Sequence, residues 1–403
     1  MKTQFFIFFG VFFLLYGIIN FYIGWRGWQA FGRLFPPGYG VLYWLLFSLL
    51  ALSFIAGRFG EKYLPAAAGD FLTVVGSYWL AAMDFFFLFI LAIDIIRLVA
   101  RWSGFLPADI TRLPALTGLF VVLLVTALVF YGSWNSRNPR LVHYDLNVPK
   151  AAGDISELRV VVVSDIHLGR IIHNGRLLKL VQNVNNLNPD LVLLPGDIID
   201  ENIGPFVEQK MSDSLLGLNS KYGAFAVFGN HEYIGGHQEE AFRHLQEAGI
   251  TVLRDSYQKI GESFFLVGRD ERSRERFGGT SRRELSGIME GVDRTLPVLL
   301  MIHQPVDLAG AQEQGVDLQL SGHTHKGQLF PFNLLTKKIF ETDWGYLRQG
   351  DFQLIVSCGF GTWGPPIRVG NVPEIVEIVI HFNSPLAKED SIPASGVKIM
   401  GRL

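Results

Sequence analysis

The sequence contains very little cysteine and almost no net charge. Its 403 residues include one cysteine, Cys358, which excludes an internal disulfide and leaves the redox compartment open. Lys and Arg (35) nearly balance Asp and Glu (37), for a formal net charge of −2. This balance excludes the broad basic field expected of a nucleic-acid-binding protein. We expect Cys358 to be a small buried residue, because free cysteines usually pack as small hydrophobes.

Charged residues are also scarce in the first third of the chain, where many of the 33 Phe residues are concentrated. A helix that crosses a membrane needs about 20 apolar residues. Four stretches meet or approach this length, namely residues 5–23, 39–56, 71–98 and 113–131. No small-residue cleavage site follows the first stretch, so we interpret it as a retained helix and not as a signal peptide. Residues 1–132 are therefore predicted to form a transmembrane region of four helices.

Four spans place the N-terminus and the C-terminal domain on the same side of the membrane. Six Lys and Arg residues near one face oppose five near the other, so the positive-inside rule selects no orientation. A cytoplasmic C-terminal domain is our working expectation. Asp84 interrupts the third stretch near its middle, where an ionisable group is costly, and both a functional role and a simple partner in the bundle remain open. Asp94 is predicted to pair with Arg97, three residues later on the same helix.

The composition changes abruptly at residues 133–157, which are predicted to be a linker to a domain at residues 158–403. In that domain short apolar runs recur, and each ends in polar residues. Apolar runs of about five residues are typical of strands buried on both faces. Residues 174–186 and 238–247 show helical spacing between such strands, so the pattern predicts an α/β layered fold. The runs 158–163, 191–194, 224–228, 298–302 and 318–320 each lead directly into a polar cluster.

The residues at these strand ends are of the kinds that bind divalent cations. Ligands collect beyond the carboxyl ends of strands in α/β folds. Asp197, alone after a glycine, is suited to bridge two ions, and Asn230 offers a neutral carbonyl oxygen. The set contains nitrogen and oxygen ligands without thiolate, which favours Mn, Fe or Zn. The predicted ligands are Asp165, His167, Asp197, Asn230, His303, His323 and His325.

In order along the chain, these residues resemble the pattern of the calcineurin-like metallophosphoesterase superfamily, which is D-x-H, G-D, G-N-H-[D/E], H and G-H-x-H. The similarity covers about residues 158–380. It is closer to the membrane-associated bacterial branch of YaeI/YkuE-like phosphoesterases. That similarity includes the segments Ser164–Gly169, Gly229–Tyr233, Ser321–His325 with Gly327 and Gln328, and Gly361–Arg368.

The resemblance implies a four-layer α/β/β/α sandwich and a centre of two divalent metal ions. It implies that His231 does not bind metal and acts on the leaving group or the phosphoryl charge, while a metal-bridging hydroxide attacks phosphorus. Glu232 either orients His231 or is an acid at a helix start. The implied ligands of the first ion are Asp165, His167 and His325, those of the second are Asn230, His303 and His323, and Asp197 bridges them.

Two basic residues remain as candidates for binding substrate. Lys326 stands where many members of this branch have glycine, and its ammonium lies either beside the phosphate or in solvent. Arg368 follows two prolines in the last loop, and it either binds a phosphate or headgroup or is an ordinary loop arginine.

The resemblance and the membrane spans together predict a multi-pass enzyme of a bacterial inner membrane. Its expected substrate is a phosphodiester, phosphomonoester or pyrophosphate, with the lipid-linked UDP-2,3-diacylglucosamine as the leading candidate because some relatives of this branch cleave it. Two alternatives remain open. One is an anchored phosphatase for soluble nucleotides or phosphoproteins, and the other is a transporter or sensor regulated by its phosphoesterase domain, which only Asp84 favours.

Overall fold

The computed structural model describes residues 2–60, 63–103, 114–383 and 396–403. They form two compact units. The first comprises Met1–Trp134 with Gly364–Ile367, and the second comprises Asn135–Trp363 with Arg368–Leu403. Residue 113, the start of the fourth predicted span, lies outside the described residues.

The first unit consists of four long helices. Proline cannot continue a helix, and Pro36 and Pro37 separate the first two. Within the described residues, three of the helices are long and apolar enough to cross a membrane. Each coincides with a predicted span, whereas the count of four spans stays a prediction. The helices are α1 (Lys2–Phe31), α2 (Tyr39–Phe59), α3 (Ala66–Ser103) and α4 (Pro114–Ser136).

Two hydrogen bonds of polar side chains inside this bundle join different helices. The indole Nε1 of Trp79 on α3 donates to Oδ1 of Asn20 on α1 at 2.9 Å. The hydroxyl of Tyr16 donates to the carbonyl oxygen of Ala51 on α2. Such bonds hold helices together where apolar burial provides little driving force.

The second unit contains two β-sheets. The first sheet has seven strands in the order β13-β1-β12-β2-β3-β4-β5. Strands β2 to β5 are parallel to one another. The strands are β1 (Arg140–Val148), β2 (Glu157–Val162), β3 (Leu191–Pro195), β4 (Ala224–Val227), β5 (Ile250–Val252), β12 (Glu374–Phe382) and β13 (Gly396–Arg402).

The second sheet has six strands in the order β10-β11-β9-β8-β7-β6, of which β7, β8, β9 and β11 are parallel. Its strands are β6 (Ser256–Ile260), β7 (Phe264–Gly268), β8 (Val298–Met301), β9 (Leu318–Ser321), β10 (Gly345–Gln349) and β11 (Phe352–Val356).

Strand β1 lies inside residues 133–157, which the composition predicted to be a linker. It pairs with β12 along its whole length. Its apolar residues Val142, Tyr144, Leu146 and Val148 are buried and alternate with less buried polar ones. Polar residues at every second position made this segment look like a linker by composition, although the alternation is that of a strand.

Successive residues of the central strands face different hydrophobic cores. On β2, Val160 and Val162 join a core that also includes Leu299 of the second sheet. Val161 between them joins a core with Leu180 of α5. Burial on both faces explains the continuous apolar runs in the sequence. The four-layer arrangement itself stays a prediction.

Eight α-helices lie among the described residues of this unit, and two of them, α5 and α9, coincide with the predicted helices. They are α5 (Asn174–Asn186), α6 (Gly204–Glu208), α7 (Met211–Leu215), α8 (Asn230–Ile234), α9 (Gln238–Glu247), α10 (Leu285–Ile288), α11 (Leu308–Glu313) and α12 (Phe332–Ile339).

Candidate metal centre

The predicted ligands lie where strands of both sheets end. Asp165 and His167 follow β2, and Asp197 follows β3. Asn230 is the first residue of α8, directly after β4. His303 follows β8, while His323 and His325 follow β9. The structure therefore brings together residues that are up to 160 positions apart in the sequence.

The backbone is strained at five of these seven residues. Their φ angles lie in the left-handed region, which residues other than glycine rarely adopt. Each such residue costs on the order of 1–3 kcal/mol, and this kind of strain clusters at functional sites. The five residues are Asp165 (φ 52°), His167 (53°), Asp197 (51°), His323 (71°) and His325 (46°).

One group of ligating atoms is formed by Asp165, His167 and His325. Nε2 of His325 lies 3.3 Å from Oδ1 of Asp165 and 3.0 Å from Nε2 of His167. All three side chains are buried. They are the residues that the resemblance implied for the first ion.

A second group is formed by Asp197, His303 and His323. Nε2 of His303 lies 3.1 Å from Oδ2 of Asp197 and 3.2 Å from Nδ1 of His323. Oδ2 of Asp197 also lies 3.9 Å from Nε2 of His167, in the first group. One carboxylate oxygen thus reaches both groups, which is the position of a bridging ligand.

Asn230 supplies an oxygen without a partner. Its Oδ1 is buried and accepts no hydrogen bond from any residue that the structure describes. A buried carbonyl oxygen without a donor is costly, and a cation removes that cost. Together with the close approach of imidazole nitrogens and carboxylate oxygens, this orphaned atom fits divalent metal ions.

Glycines let these loops approach each other closely. A Cβ at Gly229 would lie 2.1 Å from Oδ1 of Asp197, and a Cβ at Gly322 would lie 2.2 Å from Oδ2 of Asp165. Real Cβ atoms do not come so near. The glycine before Asn230 and the one before His323 are therefore part of the ligand arrangement.

The protonation states suit metal binding for most of the set. Burial, helped by the charges of neighbouring histidines, lowers the pKa of His167 and of His323 to about 3. Burial raises the pKa of Asp165 to about 6. Burial also disfavours the charge on Asp197, but His303 holds the pKa of that carboxyl well below its usual value. Neutral imidazoles and ionised carboxylates are the forms that bind metal.

His303 shows the opposite shift. Burial lowers its pKa, but the charge of Asp197 outweighs burial and holds the pKa well above the ordinary value. A positive charge between Nε2 of His303 and Oδ2 of Asp197 is therefore favoured, and either a proton or a metal ion can supply it.

His231 lies beside the two groups and is linked to Asp200. Its Nδ1 lies 3.1 Å from Oδ1 of Asp200, and its backbone N–H donates to Oδ1 of Asp197 at 2.9 Å. Burial opposes its charge, yet Asp197 and Asp200 raise its pKa above the ordinary value. This geometry and charge are compatible with the predicted role of His231 as a proton donor, which stays a prediction. His167, Asp200 and His231 also lie close enough to share an ion, so the non-ligand role of His231 stays a prediction.

Glu232 holds the backbone of the ligand loop. Its two carboxylate oxygens accept hydrogen bonds from four backbone N–H groups, three of them in residues 197–199. The fourth comes from Gly229 at 2.8 Å. Binding the backbone of residues 197–199 differs from the predicted alternative of orienting His231. It adds to the other alternative, an acid at the start of α8. The sequence could not show it, because the loop that donates these N–H groups lies more than 30 residues earlier.

Arg368 is fully buried beneath His325. Nη2 donates to the carbonyl oxygen of Gly361 at 2.6 Å and lies 3.2 Å from Nδ1 of His325. Nη1 donates to Oδ1 of Asn371 at 3.0 Å. These contacts hold Arg368 against the candidate ligand His325 and the last loop, and its binding of a phosphate or headgroup stays a prediction. Its burial follows from the carbonyl oxygens around it, which need a donor with several N–H groups.

Lys326 lies on an aromatic ring. Its Nζ is 3.6 Å from the centre of the Trp344 ring, and burial lowers its pKa. Trp344 in turn donates from Nε1 to the carboxylate of Glu374 at 3.0 Å. The ammonium is thus held by a cation–π contact. Whether it lies beside a bound phosphate stays a prediction.

Two residues of the site were missed. Asp200 lies three residues after Asp197 in a polar loop, and only its spacing from the Gly-Asp motif could have indicated it. Trp363 lies in the segment Gly361–Arg368, but no role of its own was predicted for it. Its ring centre lies 6.1 Å from that of His231, edge to face. Its backbone and Gln328 exchange two hydrogen bonds of 2.9 Å.

Comparison with known proteins agrees with this geometry. Residues 158–327 match a family model described as calcineurin-like phosphoesterase. A metallophosphoesterase of Campylobacter jejuni is 30% identical over 379 residues, which cover 92% of this chain and 97% of that protein. A zebrafish (Danio rerio) transmembrane protein with a metallophosphoesterase domain is 31% identical over 64% of this chain, which spans 62% of that protein. The metallophosphoesterase YkuE of Bacillus subtilis is 27% identical over 66% of this chain and 96% of its own length.

Proposed function

The chain belongs to the calcineurin-like metallophosphoesterases and is a metal-dependent phosphoesterase, and we propose that its substrate is a lipid-linked phosphodiester, phosphomonoester or pyrophosphate. The observation that carries this proposal is an exposed apolar surface beside the candidate metal centre. The roles of the individual residues are part of the same proposal.

The centre is proposed to hold two divalent ions, chosen among Mn, Fe and Zn. The two groups of converging nitrogen and oxygen atoms support two ions rather than one. Asp165, His167 and His325 would hold the first, and Asp197 would bridge. Asn230, His303 and His323 would hold the second, which the orphaned Oδ1 of Asn230 supports.

Such ions supply Lewis acidity to the phosphoryl oxygens and lower the pKa of the attacking water. His231 then supplies the proton for the leaving oxygen. Asp200 holds the imidazole by its contact with Nδ1, so that the Nε2 proton is the one available for transfer. The carboxylate also favours the charged imidazolium, which is the form that donates.

The apolar surface consists of α12 and the residues next to it. Phe330, Phe332, Leu334, Leu335 and Ile339 are all exposed. Lys337 and Lys338 on the same helix add positive charge. A short helix with exposed apolar side chains and lysines is suited to lie on an anionic membrane surface.

This surface adjoins the metal centre. Phe340, which directly follows α12, contacts the ring of His323 edge to face, with ring centres 6.1 Å apart. Trp363, with 55% of its surface exposed, lies beside His231. A phosphate that enters between them would carry its organic part past apolar side chains. This position supports an amphipathic substrate over a soluble nucleotide or a phosphoprotein.

We propose that the chain is a multi-pass protein of a bacterial inner membrane, with its catalytic domain in the cytoplasm. Three apolar helices support membrane association. The zebrafish relative, which is named as a transmembrane protein, supports it as well.

The test is a substrate panel on the purified full chain in detergent with Mn²⁺. Its arms are bis(p-nitrophenyl) phosphate, p-nitrophenyl phosphate, inorganic pyrophosphate, a nucleoside diphosphate, a phosphopeptide and UDP-2,3-diacylglucosamine in mixed micelles. We expect the lipid-linked substrate to give the highest kcat/KM. Faster turnover of the soluble nucleotide or of the phosphopeptide would contradict a lipid substrate, and no hydrolysis of any compound would contradict the catalytic roles.

A further inference from the structure

The membrane unit contains a cavity of about 300 Å³ that the catalytic centre does not use. It lies at the end of the bundle where α1 and α3 end and where α2 and α4 begin, and all four helices line it. Most of its wall is aliphatic or aromatic, which suits a hydrocarbon chain. The apolar wall includes Ile23, Phe47, Trp79, Phe86, Ile90 and Val121.

One end of the cavity is charged. Nη2 of Arg26 lies 2.5 Å from Oδ2 of Asp94, and the hydroxyl of Tyr22 donates to the same oxygen. Nη1 of Arg97 is 4.0 Å from Oδ1 of Asp94, at the limit of an ion pair. Nη2 of Arg97 donates to Oγ1 of Thr117 at 3.2 Å. The predicted pair between Asp94 and Arg97 is thus present, but the nearer partner of Asp94 is Arg26.

Among the residues that the structure describes, the charges at this end do not cancel. Two guanidinium groups face one carboxylate, and Arg26 uses Nη1 to donate to Oε1 of Gln29 at 2.8 Å. Its Nε is buried and has no hydrogen-bond partner within the part of the chain that the structure describes. A buried N–H without an acceptor and an excess positive charge are both costly in apolar surroundings. An anion with hydrogen-bond acceptors would satisfy both.

We propose that this cavity binds an anionic phospholipid, with the phosphate beside Arg26 and Arg97 and an acyl chain along the apolar wall. A guanidinium fork matches the geometry of phosphate oxygens, so two of them select an anionic headgroup. A free phosphate has no acyl chain and would leave the apolar wall of the cavity without a bound group. A zwitterionic lipid would bring the positive charge of its own headgroup towards the two arginines.

This lipid site is separate from the metal centre, because all its lining residues lie between Ile23 and Val122, before the first sheet begins. Lipid binding in this cavity therefore does not depend on which substrate the metal centre hydrolyses. A lipid bound here is proposed to be a resident component of the membrane unit and is not turned over.

The test is native mass spectrometry of the purified full chain with added lipid. The probes are dioleoyl phosphatidylglycerol and dioleoyl phosphatidylcholine, which share acyl chains and differ in net charge, and glycerol 3-phosphate, which has the phosphate without chains. We expect at least a tenfold preference for phosphatidylglycerol over phosphatidylcholine, about 1.4 kcal/mol. We expect glycerol 3-phosphate not to compete.

Three variants assign the binding to this cavity. Arg97→Gln removes the second cation while it leaves the pair between Arg26 and Asp94 intact, and it should abolish the preference. Ile93→Phe fills the cavity without changing its charge and should weaken both lipids. Arg101→Gln, one turn further along α3 on an exposed residue that does not line the cavity, is the matched control and should bind as wild type does.

Equal binding of the two lipids by wild type would overturn the proposal. So would unchanged preference in Arg97→Gln together with unchanged binding in Ile93→Phe, or competition by glycerol 3-phosphate. If Arg97→Gln does not fold, the result for Ile93→Phe decides alone. Lipid binding would be unchanged after the cavity is filled if no acyl chain occupied it.

Discussion

Oδ1 of Asp200 lies 3.1 Å from Nδ1 of His231. His231 itself is fixed by its backbone N–H, which donates to Oδ1 of Asp197, three residues before Asp200. One loop after β3 thus supplies both a candidate bridging ligand and the carboxylate that orients the proposed acid. The relation gives Asp200 a positioning role that can be measured.

Asp200→Asn should lower kcat about 10- to 100-fold with little change in KM. The amide retains an oxygen for Nδ1 but loses the charge that favours the imidazolium. The loss should be larger for an alkyl ester, whose leaving oxygen needs a proton, than for a p-nitrophenyl ester. Steady-state kinetics on both esters measures this. Glu208→Gln, at an exposed acid on α6, is the control. Equal losses on the two esters would contradict the role of Asp200.

Arg368→Lys should destabilise the protein and weaken metal binding. Lysine keeps the charge but cannot donate to Gly361, Asn371 and His325 together, so buried acceptors lose their donors. We expect the unfolding temperature to fall by at least about 3 °C. Thermal unfolding in detergent and metal analysis measure both effects. A variant with unchanged stability and metal content but a raised KM would instead support the substrate contact expected from the sequence.

Removal of metal should abolish activity and lower the unfolding temperature. Without a cation, the converging carboxylates and imidazoles repel one another, and the buried Oδ1 of Asn230 has no partner among the described residues. A tightly bound ion contributes on the order of 3 kcal/mol when its concentration is 100 times its Kd. Activity and thermal unfolding are measured after EDTA treatment and again after adding back Mn²⁺, Fe²⁺ or Zn²⁺. Full activity in the chelated protein would refute metal dependence.

Leu334→Asn with Leu335→Asn on α12 should slow hydrolysis of a lipid-linked substrate in vesicles and spare a soluble substrate. Both side chains are more than half exposed, so the fold should tolerate the change. We expect kcat/KM in vesicles to fall about tenfold, the equivalent of 1.4 kcal/mol of lost surface binding. Leu178→Asn, at a similarly exposed leucine on α5, is the matched control. An equal fall on the soluble substrate would show that α12 supports the site and does not bind the membrane.

The sequence predicted the parts of the fold and site that local patterns encode. Short apolar runs indicated the strands before Asp165, Asp197 and His303, since residues buried on both faces must be apolar throughout. Motifs at the strand ends indicated the six side chains that converge in the two groups, namely Asp165, His167, Asp197, His303, His323 and His325. Strand β1 was missed because its alternating polar residues resembled a linker in composition.

What the sequence did not reveal depends on distant partners. Arg368 lies 43 positions from His325, and the three oxygens around its guanidinium converge only in the folded loop, although they belong to residues within nine positions of it. Glu232 likewise serves a loop more than 30 residues away. Asp94 was paired with Arg97 because they are neighbours on one helix, whereas its closer partner, Arg26, comes from another helix.

The metal content of the purified full chain, measured together with turnover for wild type, His231→Ala and His323→Ala, tests the central claim most directly. We expect wild type to carry two divalent ions per chain. His231→Ala should keep both ions and lose about 10²- to 10⁴-fold in turnover, whereas His323→Ala should lose metal. Activity without bound metal, or loss of metal in His231→Ala with full retention in His323→Ala, would contradict the account.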